Sequence, residues 1–399
     1  MEFRYFEKKM EGSDMKIGFD VSQAGSAKAG CGYVANNLIQ QLALLDSENR
    51  YLLYRLWGDE FHDPLYRKIT PVKSNARMRY EDRGSFKAEK NFWSKKQENF
   101  TSSSEMPDII HSNNFFCPNY KLKNIQLVYT LYDLSFVQCP EHTTEANRLI
   151  CLKGLFNASL YSDHIVSISE YSKKDFLNTF PYYPEENITV IPLGARFSMA
   201  LKDSPPIFKG SELMPNQFIL SVGTLEPRKN QLGLIKAYKA LKDEGVLEGI
   251  PLVLAGQSGW LAEPINEFII KFGLERDVIK LGRVDDKMLA WLYRHCLFLA
   301  YPSFFEGFGL PILEAMSMGA AVISSNTSSM PEVVGDAALL INPYEVDELV
   351  QAMRYLILDK SKRDHLKMLS LKRSELFSWD KAACAVLEVY NNLYLEKSR

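Results

Sequence analysis

The chain has 399 residues, of which 46% are hydrophobic and 24% are charged, and its formal net charge is −2. This length allows two domains, each with its own hydrophobic core, and the composition is that of a globular protein. The near-neutral charge argues against broad nucleic-acid binding, and the hydrophobic content argues against disorder in the bulk of the chain.

Cysteine spacing and hydropathy indicate in which cellular compartment the protein works. The six cysteines form no C-x-x-C pair, which argues against a zinc site or a disulfide framework and favours a reducing location. No apolar run reaches the roughly 18 residues that span a bilayer. Residues 1–14 lack the apolar segment of a signal peptide. We therefore expect an N-terminal extension over these residues and a cytoplasmic protein.

The chain begins with a predicted strand, loop and helix. Residues 16–21 (KIGFDV) predict a buried strand and residues 33–45 an amphipathic helix, with GSAKAGCG between them. The backbone amides of such a loop can hold phosphate, although the glycine spacing differs from the dinucleotide-binding fingerprint. A second strand is expected over residues 50–56.

Residues 57–105 allow two interpretations. They combine Arg and Lys with Trp93, Phe86, Phe92 and Phe100. One interpretation is a solvated loop or loose helix at the surface. The other is a basic, aromatic surface that holds a substrate carrying phosphate or lipid, or that rests on an anionic membrane.

Strands and helices then alternate up to residue 191. Strands are expected at 108–112, 126–131, 163–168 and 188–191, and helices at 148–162 and from about 168 onward. His111 fits a hydrogen-bonded buried histidine better than a catalytic one, and Ser169 and Ser172 fit helix capping. Prolines punctuate the stretch that follows, so we expect an interdomain linker at 193–217.

The alternation restarts after this linker. Strands are expected at 218–222, 251–255, 278–281 and 296–300, and helices at 231–244, 262–272, 287–295 and 311–318. Two successive doubly wound α/β units place ligands at the carboxyl ends of their parallel strands. The last predicted helix, residues 380–395, either crosses back to the first unit or packs on the second.

The loop before helix 311–318 suits a ligand in which a sugar is joined to a phosphate. Free amides and the helix macrodipole attract anions at this end of a helix, and Gly307 and Gly309 allow close approach of the backbone. Glu306 and Glu314 would repel a phosphate. We therefore expect these two carboxylates to accept hydrogen bonds from hydroxyl groups of the same ligand.

Two motifs carry a family resemblance. They are E-G-F-G-L-P-x-L-E-A-x-x-x-G from Glu306, followed by P-E-V and G-D-A-A-x-L, and G-T-x-E-P-R-K-N over residues 223–230. Both resemble the retaining glycosyltransferases of the GT-B fold, of the family 4 type that includes sucrose synthase and bacterial mannosyltransferases. Glu306 and Glu314 match the E-x7-E motif of that family. The resemblance is strong over residues 218–341 and weaker over residues 15–192.

The resemblance implies an architecture. Two Rossmann-like, doubly wound α/β domains would face each other across a cleft. The first, residues 15–192, would lie on the acceptor side, and the second, residues 218–379, would bind the nucleotide sugar. Residues 380–399 would form a helix that crosses back to the first domain.

The resemblance also implies roles for residues in the cleft. Arg228 and Lys229, expected to be exposed there, would hold the donor diphosphate, where fixed cations act on charge that develops as the glycosidic bond breaks. Glu306 would bind the donor sugar and would be the third catalytic residue beside Arg228 and Lys229. Glu314 would bind the ribose. Further donor-binding positions implied are Gly30, Gly32, Tyr132, Gly223, Thr224, Arg283, Val284, Phe308, Gly309 and Leu310.

Two sequence features limit the reaction mechanisms that are possible: a tyrosine at position 132 and the lack of an Asp-x-Asp pair. Relatives usually have His where this chain has Tyr132, and a tyrosine hydroxyl forms hydrogen bonds but does not charge near neutral pH. The sequence contains no Asp-x-Asp pair of the kind that binds metal in other glycosyltransferases. We therefore expect no metal and no cofactor, with Arg228 and Lys229 supplying the positive charge.

The predicted activity is metal-independent transfer of a hexose from a nucleoside diphosphate sugar to a hydroxyl of a glycan or lipid-linked glycan, with retention of configuration. Mannose from GDP-mannose is the first choice, and surface polysaccharide or lipopolysaccharide synthesis is the expected setting. Such acceptors favour peripheral association with the inner membrane, and no nucleic-acid partner is expected. Two alternatives stay open: a nucleotide-sugar epimerase and a binding subunit without turnover.

Overall fold

The computed structural model describes residues 14–25, 30–55, 78–81, 106–200 and 213–397. The described residues form two α/β units, each built on a parallel sheet. The elements of the first unit are β1 (Lys16–Asp20), α1 (Gly30–Leu45), β2 (Arg50–Tyr54), β3 (Met78–Glu81), β4 (Ile109–Ser112), β5 (Gln126–Leu131), α2 (Ser135–Gln138), α3 (Glu145–Tyr161), β6 (His164–Ser167), α4 (Glu170–Thr179) and β7 (Ile188–Val190).

The first sheet has the strand order β3-β2-β1-β4-β5-β6-β7. Its central strands are short apolar runs buried along their length, as parallel strands covered on both faces require. Ile17 of β1 lies opposite Tyr51 of β2 and Ile109 of β4. Because all strands run in one direction, their carboxyl ends meet at one edge of the sheet.

The second unit repeats this pattern. Its elements are β8 (Ile219–Val222), α5 (Gln231–Asp243), β9 (Leu252–Ala255), α6 (Glu263–Lys271), β10 (Val278–Gly282), α7 (Asp286–His295), β11 (Phe298–Tyr301), α8 (Leu310–Ser317), β12 (Val322–Ser325), α9 (Met330–Val334), β13 (Leu339–Ile341), α10 (Val346–Leu358), α11 (Lys360–Ser374) and α12 (Trp379–Lys397). The sheet order is β10-β9-β8-β11-β12-β13, so β8 and β11 are neighbours. The predicted class, two doubly wound α/β units, is confirmed.

Two local predictions for the first unit need correction. Helix α1 begins at Gly30, so Gly30 and Gly32 lie in its first turn and not in a loop before it. The loop or loose helix expected over residues 57–105 contains a strand, β3, which pairs in parallel with β2. Residues 56–77 and 82–105 lie outside the described part of the chain, as does most of the basic, aromatic surface expected there.

The last helix lies against the first unit. The apolar face of α12 packs with α1 and with the core beneath β1, and the Tyr390 hydroxyl lies 2.5 Å from His111 Nδ1. The other ring nitrogen of His111 lies 2.8 Å from Thr130 Oγ1, which confirms a hydrogen-bonded, buried histidine. Ser169 is confirmed as a helix cap, since its hydroxyl accepts from the Ser172 amide at the start of α4.

The remaining expectations concern the linker, the cysteines and the possibility of a membrane-spanning helix. The linker bounds, 193–217, stay a prediction, and residues 201–212 lie outside the described part. None of the six cysteines, all described, is in a disulfide. Among the helices that the structure describes, none has both the length and the apolar character needed to cross a bilayer.

Candidate active site

The candidate site lies where the neighbouring strands β8 and β11 end. β8 leads into a short 3₁₀ helix, Pro227–Lys229, and β11 leads into residues 302–309 before α8 begins. Because both strands end at the same edge of the sheet, the two loops meet. The Phe304 amide donates to the Arg228 carbonyl at 2.9 Å and joins them directly.

Glu306 is the centre of a buried charged cluster. Its Oε1 accepts from Lys229 Nζ at 2.6 Å and from the Tyr301 hydroxyl at 2.9 Å, and its Oε2 accepts from Arg228 Nη1 at 3.1 Å. Burial alone would raise the pKa of this carboxyl, but Lys229 and Arg228 outweigh burial and lower the pKa to about 2. A carboxylate offers about four acceptor positions, so about one is left for a ligand hydroxyl.

Arg228 and Lys229 are held from several sides. Arg228 Nη2 donates to Glu226 at 2.8 Å, and Nη1 also donates to the Phe305 carbonyl at 2.8 Å. Burial lowers the pKa of the Lys229 ammonium, while the adjacent Glu306 opposes that shift. The two side chains are only 20% and 13% exposed. The expectation that both are exposed in the cleft is therefore wrong: both are half-buried, because carboxylate partners allow these cations to lose much of their contact with water.

Gly307 brings the two units into contact. A Cβ on Gly307 would lie 2.3 Å from the Tyr132 carbonyl oxygen, so any side chain there would collide with the first unit. Ser172 Oγ donates to the same Tyr132 carbonyl at 3.0 Å. The sequence suggested that Gly307 admits a ligand, whereas the structure shows that it admits the backbone of the opposite unit.

The start of α8 follows directly after a glycine in a left-handed conformation. Gly309 has a φ of +102°, a left-handed conformation that favours glycine, and it precedes the first helical residue, Leu310. Pro311 has no N–H, and the amides of Ile312 and Leu313 donate to the Gly309 carbonyl at 2.9 Å and 3.2 Å, so Leu310 carries the first-turn amide that lacks an intrahelical acceptor. Phe308 lies just before Gly309 and is buried in the core shared by the two units. A contact between this helix start and an anionic group of the donor stays a prediction.

Glu314 is held by two residues that sequence reasoning missed. Arg196 donates to both of its carboxylate oxygens, and the Tyr293 hydroxyl donates to Oε2 at 3.0 Å. Glu314 is 2% exposed. Arg196 lies in the expected linker and Tyr293 lies within an amphipathic helix, so neither has a local motif. A buried carboxylate needs a cation, but this need alone does not say which residue supplies it.

Tyr132 and the start of α1 lie side by side in the first unit. The Tyr132 hydroxyl donates to the Asn113 carbonyl at 2.9 Å and lies 3.4 Å from the Cys31 carbonyl. Burial raises the pKa of Tyr132 well above its ordinary value, so the hydroxyl is neutral. Because Cys31 separates Gly30 from Gly32, the expected glycine positions adjoin Tyr132. Their contacts with a donor stay predictions.

The remaining expected positions lie at strand ends of the second sheet. Gly223 has a φ of +139°, and a Cβ there would lie 3.7 Å from Lys229 Cε. The carbonyl of Thr224 accepts from a side-chain amide of α5 at 2.9 Å. Arg283 is exposed and Val284 is half-buried, and both follow β10, two strands away from β8. Gly223 and Thr224 thus adjoin the charged cluster, and the other two lie further along the sheet edge.

Cys139, Glu141 and His142 form the group of side chains that could hold a metal ion within the described ranges. Their ligand atoms all lie within 4.8 Å of one another. All three come from one turn, and Glu141 is exposed. A structural zinc site takes four ligands, so this trio fits at most a weak surface site.

Glu332 joins α9 to the first unit. Its two carboxylate oxygens accept from the amides of Glu170 and Tyr171 at 3.0 Å each. These amides open α4, so a carboxylate of the second unit caps a helix of the first. The P-E-V segment therefore carries a contact between the units, which sequence reasoning did not predict.

Comparisons with known sequences match this part of the chain. Residues 205–370 match the family model described as glycosyl transferases group 1. The chain is also 34% identical over 289 residues to O-antigen chain mannosyltransferase B of Escherichia coli, a match that covers 71% of this chain and 74% of that protein.

Solved structures match the whole architecture. Sucrose-phosphate synthase from Thermosynechococcus elongatus has a TM-score of 0.72 at 19% identity, over 96% of this chain and 100% of that one. Anabaena HepE in complex with UDP-glucose has a TM-score of 0.68 at 20% identity, over 95% and 100% of the two chains. At these identities the likeness concerns the fold, and it confirms the predicted GT-B class.

Proposed function

Because the chain belongs to the glycosyl transferases of group 1, we propose that it transfers a hexose from a nucleoside diphosphate sugar to a glycan or lipid-linked glycan hydroxyl with retention of configuration. Mannose, from GDP-mannose, is the proposed sugar, and the O-antigen mannosyltransferase among its relatives supports this choice. The proposed setting is surface polysaccharide synthesis in the cytoplasm or at the cytoplasmic face of the inner membrane.

The observation that carries this proposal is the cluster of half-buried Arg228 and Lys229 on buried Glu306, in the loops that lead to the start of α8. A departing diphosphate gains negative charge as the glycosidic bond breaks, and oriented cations and amides stabilise that charge mainly in the transition state. Glu306 fixes both cations and keeps an acceptor position for a sugar hydroxyl. The acceptor hydroxyl attacks from the side that the phosphate leaves, and the phosphate takes its proton.

We assign the donor site by the same reasoning. Glu314 binds the ribose, and Arg283 and Val284 contact the base. The other proposed donor contacts are Gly30, Gly32, Tyr132, Gly223, Thr224, Phe308, Gly309 and Leu310. Residues 15–192 form the acceptor-side domain and residues 218–379 the nucleotide-sugar domain. Positive charge comes from Arg228 and Lys229, so no metal is required.

A two-step experiment tests the function. Thermal shift with GDP-mannose, UDP-glucose and related nucleotide sugars identifies the donor, and release of nucleoside diphosphate is then measured with and without lipid-linked glycan acceptors. We expect stabilisation by one donor and release that depends on acceptor. An epimerase would convert the donor without this release, and a binding subunit would be stabilised without turnover. No stabilisation by any nucleotide sugar would refute the proposal.

Chelation tests the metal-independent course separately. Turnover should survive EDTA, since no step needs a divalent ion. Loss of turnover in EDTA, with recovery on addition of magnesium or manganese, would overturn that part of the proposal while leaving the transfer reaction intact.

A further inference from the structure

We propose that Arg196 is a positioning residue of the nucleotide site, which holds Glu314 ready for the ribose and links that carboxylate to Tyr33 of the first unit. The inference rests on the proposed function, because it assumes that a nucleoside diphosphate occupies the cleft. It adds a residue, and a connection between the units, that no sequence motif marks.

The contact between Arg196 and Glu314 is bidentate. Arg196 Nη2 lies 3.0 Å from Oε2, and Nε donates to Oε1. Their side chains are 10% and 2% exposed. Two parallel charge-assisted hydrogen bonds fix the plane of the carboxylate, which a single-point cation would not do.

The same guanidinium contacts three helices. Its carbon lies 3.9 Å from the centre of the Tyr33 ring, in the first turns of α1, close enough for a cation–π interaction. Nη1 lies 3.1 Å from Asp286 at the start of α7, directly after the loop with Arg283 and Val284. Glu314 is on α8. Arg196 therefore connects α1 of the first unit to α7 and α8 of the second unit.

The number of bonds to Glu314 favours positioning over competition with the ligand. Two donors of Arg196 and the Tyr293 hydroxyl use three of about four acceptor positions on the carboxylate, so one ribose hydroxyl can bind without displacing Arg196. Burial would lower the pKa of Arg196, but the Glu314 carboxylate outweighs burial and raises it. Arg196 therefore stays charged across the working pH range.

Five ligands separate a ribose effect from a phosphate effect. Binding by calorimetry is measured with GDP and UDP, with their 2′,3′-dideoxy forms, and with inorganic pyrophosphate as competitor. In the unaltered protein, whichever of GDP and UDP binds should bind more tightly than its dideoxy form, because Glu314 accepts a ribose hydroxyl. Pyrophosphate reports only on Arg228, Lys229 and the start of α8.

Arg196→Met tests the role directly. We expect nucleoside diphosphate binding to weaken about 10- to 100-fold, the range for a lost hydrogen bond to a charged group. The preference over the dideoxy form should disappear, and pyrophosphate binding should stay unchanged. Arg294→Met is the matched control, since Arg294 lies on α7, the helix that also carries Asp286, and donates to the Met199 carbonyl at 2.9 Å. It should keep both the affinity and the preference.

Conservative variants cover the case in which Arg196→Met does not fold. Arg196→Lys keeps the charge but loses the fork, so we expect roughly 5- to 10-fold weaker binding of the nucleoside diphosphate. Tyr33→Leu should weaken binding about 3-fold and Tyr33→Phe should not, since the ring face carries the interaction. In the Arg196→Lys background, Tyr33→Leu should have a smaller effect than in the unaltered protein.

The outcomes distinguish this inference from the proposed function. If the unaltered protein binds neither GDP nor UDP, the proposed function fails. If it binds one of them, and both Arg196 variants keep full affinity and the preference for ribose hydroxyls, the inference alone fails. Loss of pyrophosphate binding in the Arg196 variants would show a direct phosphate contact and would also overturn the positioning role.

Discussion

Lys229 Nζ lies 2.6 Å from Glu306 Oε1, and the Tyr301 hydroxyl bonds to both, at 2.8 Å and 2.9 Å. Arg228 pairs with the same glutamate and with Glu226, so two cations face two carboxylates and the cluster is neutral without ligand. A diphosphate therefore meets two cations that are already paired with carboxylates. It meets oriented donors, together with the Leu310 amide and the dipole at the start of α8.

Removing Arg228 or Lys229 should reduce turnover more than it reduces the stability of the fold. We expect Arg228→Ala or Lys229→Ala to lower turnover by about two to three orders of magnitude, as for other single transition-state charge contacts. Because Glu306 then loses a buried partner, each variant should also unfold more easily. Steady-state kinetics and thermal unfolding measure the two effects. Lys239→Ala, which breaks an exposed ion pair with Asp243 on α5, is the control. Wild-type kinetics in both variants would remove these residues from the mechanism.

The two glutamates should affect different kinetic constants. Glu314→Ala should mainly raise the Michaelis constant for the donor, because the ribose binds similarly in the ground and transition states. Glu306→Ala should also lower turnover, since Glu306 orients both cations and the sugar. Initial rates at varied donor concentration, with acceptor in excess, give both constants. If Glu314→Ala lowered turnover and Glu306→Ala changed only the Michaelis constant, the assigned roles would be reversed. If neither variant changed the dependence of the rate on donor concentration, neither residue would lie in the site.

The sequence predicted those features of the fold that depend on residues close together in the chain. Continuous apolar runs predicted the central strands, and Ser169 predicted a helix start because capping depends on neighbouring residues. The family resemblance placed the loop after β8 and the loop after β11 in one site, and the structure brings these loops together because parallel strands end at one edge. What was missed depends on contacts between residues far apart in the chain, such as Arg196 with Glu314.

Burial was the other property that local patterns did not predict. Arg228 and Lys229 were expected to be exposed, yet Glu226 and Glu306 allow them to be half-buried. Gly307 was read as room for a ligand, because a glycine indicates close approach without indicating what approaches. Only the three-dimensional arrangement shows that Tyr132 of the other unit lies there.

Glu332 should stabilise the arrangement of the two units. Glu332→Ala leaves the first amides of α4 without their acceptor, and we expect a loss of about 1 kcal/mol, typical of a removed helix cap. Glu332→Gln keeps one acceptor oxygen and should lose less. Urea unfolding measures stability, and small-angle scattering should show a larger radius of gyration for the Ala variant. Glu388→Ala, on an exposed position of α12, is the control. Equal stability and equal radius in all variants would contradict this role.

His111 should make stability depend on pH. Burial lowers the pKa of His111 from 6.5 to about 3. Below pH 6.5 the unfolded chain therefore binds a proton that the folded protein does not, and stability falls as the pH falls from 6.5 towards 3, by up to about 1.4 kcal/mol per pH unit. His111→Gln removes this term, so the variant should be less stable at pH 7.5 but should approach the unaltered protein by pH 5. Urea unfolding at both pH values measures the difference, with His365→Gln, exposed on α11, as the control for loss of one histidine. A stability difference that stays constant between pH 7.5 and 5 would show that His111 does not titrate as its burial requires.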